Sequence, residues 1–200
     1  VLSATGFGSV VPFLASGLLV GLLFREEYIS KIGPIAVQPP FAATMVTPLL
    51  LALGTGMAHG TWPSAVVRRS WRTGASRAGS YALASVSSLA VLSLAAAVSE
   101  ATVGPGLLRT FLLLSGLTMG VGAVCGIAFA WCPAVVVCSA AVLSPSSTDP
   151  LGLHPLIFWG DAVVSQQIVA CSVFLLGYVL AVLDVASRGY IRSLPSVGKG

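Results

Sequence analysis

Four arginines, Arg68, Arg69, Arg72 and Arg77, fall within TWPSAVVRRSWRTGASRAGS at 61–80, a stretch without a single acidic residue. A guanidinium group is a planar fork that pairs with carboxylates and phosphates through two-point hydrogen bonds. Two surfaces satisfy such a cluster. Anionic lipid head groups attract each arginine by about 1 kcal/mol near a bilayer, and an acidic protein partner takes the same forks. Charge alone favours the lipid.

The other reactive side chains do not assemble into a site. Cys125, Cys132, Cys138 and Cys171 all lie in apolar stretches with no CxxC pair and no histidine at ligand spacing, the pattern of small buried apolar residues. No metal is expected. GASRAG at 74–79 resembles a glycine-rich serine motif but has no histidine or acid nearby. GxxxxGK[ST] is absent, so any ATP chemistry belongs to another chain, and catalysis by this one is not expected. Gln166 and Gln167 suit hydrogen bonding to a neighbouring helix, and Asp184 precedes Arg188 by four residues, the spacing of a helical surface pair.

The elements that must position these residues follow from composition. The chain has 200 residues, of which 56% are hydrophobic and 8% charged, against about a quarter charged in soluble domains. Sixteen charged side chains cannot cover the surface of such a domain. A net charge of +4 does not mark a nucleic-acid protein, because the basic residues interrupt apolar runs and do not decorate a polar face. The expected solvent is the bilayer. Arginine outnumbers lysine eight to two among residues dominated by Ala, Val, Gly and Leu, a bias of GC-rich bacterial genomes, so the expected location is a bacterial plasma membrane.

A helix needs about 20 apolar residues to cross about 30 Å of hydrocarbon. Charge-free runs then predict an all-α, polytopic membrane protein with about six spans in one domain over 1–200, at about 5–24, 41–60, 80–99, 107–130, 133–145 and 162–186. Lys31, Pro34, Pro39 and Pro40 mark a loop after the first span. Thr110 to Thr148 is 39 residues without a charge, about 58 Å as one helix, so a hairpin at Pro133 divides it. Trp159 is the expected aromatic-belt residue before the last span.

Orientation follows from Lys and Arg, which favour short cytoplasmic connections. With both termini inside, the cytoplasmic side holds Arg68, Arg69, Arg72, Arg77, Arg188, Arg192 and Lys199, seven of ten basic residues. The outer connections then hold three, Arg25, Lys31 and Arg109, against five acids, a net of −2. His59 and His154 fall on opposite sides. Gly116, Gly120, Gly122 and Gly126 form two small-xxx-small pairs that let helix backbones approach closely, with packing inside the subunit expected. No carboxylate or lysine lies at the centre of a span, which counts against an ion-coupled carrier.

HGTWPSAVVRRSWRTGASRAGSYALAS at 59–85 resembles the segment after the second helix in six-helix permeases of ABC-type exporters. Gly60 and Thr61 match the family's Gly-Thr, and Arg69, Arg72 and Arg77 fall in its basic stretch. Met57 and Ala58 stand where the family usually has an acid. The resemblance implies that Gly60, Thr61, Arg68, Arg69, Arg72 and Arg77 form the coupling region on an ATP-binding cassette subunit. It also implies a second permease subunit, homo- or heterodimeric, and ATP and magnesium held by the ATP-binding partner. Helices one, two and five would line the path. A substrate-binding or accessory membrane subunit of a larger complex is the other reading.

Overall fold

The computed structural model describes residues 10–24, 27–58, 71–98, 104–143, 157 and 164–183, with the backbone alone over 35–41 and 71–77. Among these, six α-helices are bounded: α1 Val11–Leu23, α2 Thr47–Met57, α3 Trp71–Val98, α4 Gly104–Cys125, α5 Cys132–Leu143 and α6 Val164–Leu183. The fold is mostly helical. Three stretches, Ala78–Val98, Gly104–Cys125 and Val164–Leu183, are long and apolar enough to cross a membrane. The first, second and fifth helices are shorter, at 13, 11 and 12 residues.

Two local departures from expectation have plain causes. The proline-bearing loop after α1 is a β-hairpin, β1 Tyr28–Ile32 against β2 Ile35–Ala42, antiparallel, with an irregularity between Ile29 and Lys31. The chain is therefore not purely α. Gly33, at φ 60°, supplies the first corner of the turn, and the Pro34 ring fixes the second. Glycine followed by a residue of negative φ is what a type II′ hairpin requires. The other departure is the break after α4. It falls at Gly126, whose φ of 96° and ψ of 161° lie in a region open to glycine alone, and not at Pro133. A 3₁₀ turn, Ile127–Phe129, follows, and Pro133 sits in the first turn of α5, where its missing N–H costs nothing.

Helix α4 is the centre of the packing. Leu107, Phe111, Leu114 and Met119 are buried along it; the first three share an apolar cluster with Leu51 and Ala52 of α2, Leu92 of α3 and Ala170 of α6, and Met119 shares a second with Tyr81 and Ala84 of α3 and Ala181 of α6. Thr118 donates to the Ala52 carbonyl at 3.1 Å and so ties α4 to α2. Along α1, a Cβ on Gly17 would lie 2.9 Å from Leu51, and one on Gly21 would lie 2.8 Å from the Ala95 Cβ, so α1 is closely seated on α2 and α3. Outward faces are apolar: Leu19 and Leu23 of α1, Val86 of α3, Val136 of α5, and Ile168 and Leu176 of α6 are all exposed. In water such faces would be an aggregation hazard, whereas hydrocarbon solvates them.

Candidate functional site

Helix α3 reaches farther toward its N-terminus than the charge pattern indicated. It begins at Trp71, seven residues before its apolar stretch starts at Ala78. Arg72 and Arg77 therefore stand on a helical extension of about 10 Å and not in a loop. Gly60, Thr61, Arg68 and Arg69 lie outside the described residues, as do His59, His154, Asp184 and Arg188.

The first residue after Arg77 is held by α6. Tyr178 donates its hydroxyl to the Ala78 carbonyl at 3.0 Å. Its ring meets Tyr81 edge-on, with centroids 6.4 Å apart, and stacks near Phe174 at the same separation. Edge and offset contacts of this kind add about 0.5–1.5 kcal/mol to simple burial. The basic extension is thus fastened to α6 where it meets the apolar core.

Helix α6 is in turn joined to α4 with no space between backbones. A Cβ on Gly116 would lie 2.5 Å from the Val173 carbonyl oxygen and 2.6 Å from the Phe174 Cα, and one on Gly177 would collide with the Gly116 carbonyl. Gly116 and Gly120, which sequence spacing marked as packing positions, meet α6 here, while Gly122 faces Ala130. Gly177, their counterpart, was legible only as one more glycine in an apolar run.

A polar node closes the other end of the same helix pair. Arg109 is fully buried and donates from Nη1 to the Gln166 side-chain oxygen at 2.7 Å. Gln167 donates to the Pro105 carbonyl at 2.9 Å, and Thr110 to the Ile157 carbonyl at 2.8 Å. Both glutamines therefore serve helix packing, as expected. Arg109 corrects the charge count, because it lies within α4 and not in an outer connection. Its position three residues inside the predicted fourth span, opposite two glutamines just inside the sixth, was the available signal.

An open groove of about 450 Å³ lies between the end of α1 and the hairpin. Val20, Phe24, Tyr28, Ile29 and Val46 form its apolar walls, with Glu27 and Lys31 at its edge. Glu27 is the only carboxylate among the described residues. The four cysteines are free thiols, and no group of metal-ligating side chains forms among the described residues. A paired acid and base is equally lacking there, so the described geometry offers contact surfaces and fastened helices.

No family model, curated protein or solved structure matches the chain.

Proposed function

We propose that this chain is the membrane-spanning permease subunit of an ATP-driven exporter. It forms one domain over 1–200 with six spans and both termini cytoplasmic, in a bacterial plasma membrane. A separate ATP-binding cassette subunit, seated on 61–80, holds ATP and magnesium. A second permease subunit completes the pathway, and membrane lipids surround the pair.

The observation that carries this reading is the continuity of α3. Arg72 and Arg77 share one uninterrupted helix with the apolar stretch Ala78–Val98. A force applied to the basic extension is carried into the membrane without a flexible joint. Basic residues used only for orientation need no such rigid mounting. The buried position of Arg109 also favours the orientation, since the outer connections then hold only Arg25 and Lys31 against the five acids.

Charge reversal tests the coupling. With Arg68, Arg69 and Arg72 all replaced by Glu, the purified membrane complex loses its ATP-binding subunit while the chain still inserts in the membrane. Retention of that subunit at the wild-type ratio would sink the assignment. Met57 and Ala58, in place of the family's acid, favour the second reading, an accessory or substrate-binding membrane subunit. Under that reading no ATP-binding chain accompanies the wild type.

A further inference from the structure

The groove between the end of α1 and the hairpin lies where the chain changes from apolar to charged. Helix α1 has no charged residue, and toward its end Leu19, Leu22, Leu23 and the following Phe24 are all exposed. Arg25, Glu26 and Glu27 come next in the sequence. Hydrocarbon solvates the apolar group, and the head-group layer solvates the charged one. Tyr28, 62% exposed, belongs to the residue types enriched at that boundary.

The groove lining has the same two parts. Val20, Phe24 and Val46 supply apolar wall, while Glu27 and Lys31 bring one charge of each sign to the same space. Four residues of extended chain separate the two charges, about 13 Å between Cα atoms. Neither side chain takes part in a hydrogen bond or ion pair among the described residues. A matching occupant has an apolar body and carries both an anion and a cation. An anionic amphiphile would satisfy Lys31 but face the Glu27 carboxylate unmatched, and a cationic one would reverse the problem.

We propose that this groove is a binding site for phosphatidylethanolamine. One acyl chain lies along Val20, Phe24 and Val46. The Lys31 ammonium donates to the lipid phosphate, and the lipid's primary ammonium donates to the Glu27 carboxylate. The groove's volume of about 450 Å³ falls within the range of small-molecule sites, about 300–1,000 Å³, and its open side leaves the second chain in the bilayer. Phosphatidylcholine fits less well, because its quaternary head group has no N–H to donate to a carboxylate acceptor. Phosphatidylglycerol lacks the cation altogether. The site does not depend on any partner at the arginine segment.

Lipid retention by the full chain tests this. The protein, purified in detergent, is offered an equimolar mixture of phosphatidylethanolamine, phosphatidylcholine and phosphatidylglycerol with identical oleoyl chains, and native mass spectrometry counts the lipid that stays bound. Phosphatidylethanolamine should be retained about fivefold over either competitor, the upper end for a charge pair at an exposed position. Glu27→Gln should abolish that preference, and Lys31→Gln should lower retention of all three lipids. Both side chains are exposed, so neither change disturbs the helix packing. Equal retention of the three lipids by the wild type overturns the proposal. So does a preference that survives Glu27→Gln, which would place the lipid elsewhere, or retention that Lys31→Gln leaves unchanged.

Discussion

Gly177→Val is expected to separate α4 from α6 and to be the most damaging single substitution in the described part of the chain. Overpacking costs about 1–3 kcal/mol where neighbouring side chains can give way. Here the obstacle is the Gly116 carbonyl, part of a helix backbone that cannot move without carrying α4 along. The cost should therefore exceed about 3 kcal/mol. In detergent, the variant should lose its monodisperse elution peak at a temperature where the wild type keeps it. Gly120→Ala is the matched control. Its Cβ would stand 3.6 Å from the Gly177 Cα, an ordinary contact, and alanine is the better helix former. It should match or exceed the wild type.

The second large effect lies at the other end of the same helix pair. Gln166→Leu takes from the buried Arg109 guanidinium an acceptor at 2.7 Å, and a hydrogen bond to a charged group is worth about 1.5–3 kcal/mol. Arg109→Met strands the Gln166 oxygen and should cost about 1–3 kcal/mol. The double variant Arg109→Met with Gln166→Leu should cost less than the two single changes added together, because an apolar pair leaves neither group unmatched. Thermal unfolding of the four proteins in one detergent gives the coupling. Strict additivity would show that the contact is incidental to the packing of α4 on α6.

The parts of this fold that were legible in the sequence are those that exclude charge. Each of the six described helices overlaps a run without Asp, Glu, Lys or Arg, and three of them are long and apolar enough to cross a membrane. What the charge pattern obscured was whatever it treated as a boundary. Arg109 marked the end of a connection when its side chain is buried three residues into the fourth span, paid for by an amide 57 residues away. Likewise, Arg72 and Arg77 marked a loop, although α3 accommodates them and begins at Trp71. The hairpin was hidden for another reason. Pro39 and Pro40 argue against a strand, and only an edge strand tolerates them, which β2 of a two-stranded sheet necessarily is. Of the residues proposed to meet an ATP-binding subunit, Arg72 and Arg77 stand on α3, while Gly60, Thr61, Arg68 and Arg69 fall outside the described residues.

The central claim is that an ATP-binding subunit sits on the basic segment, on the side of the membrane opposite the hairpin. A photo-crosslinking side chain introduced at Ser70, between the arginines, or at Tyr28, which is 62% exposed on β1, tests partner and orientation together in native membranes. An adduct with an ATP-binding subunit is predicted from Ser70 and none from Tyr28. The same adduct from Tyr28, or no ATP-binding subunit captured from Ser70, would contradict it.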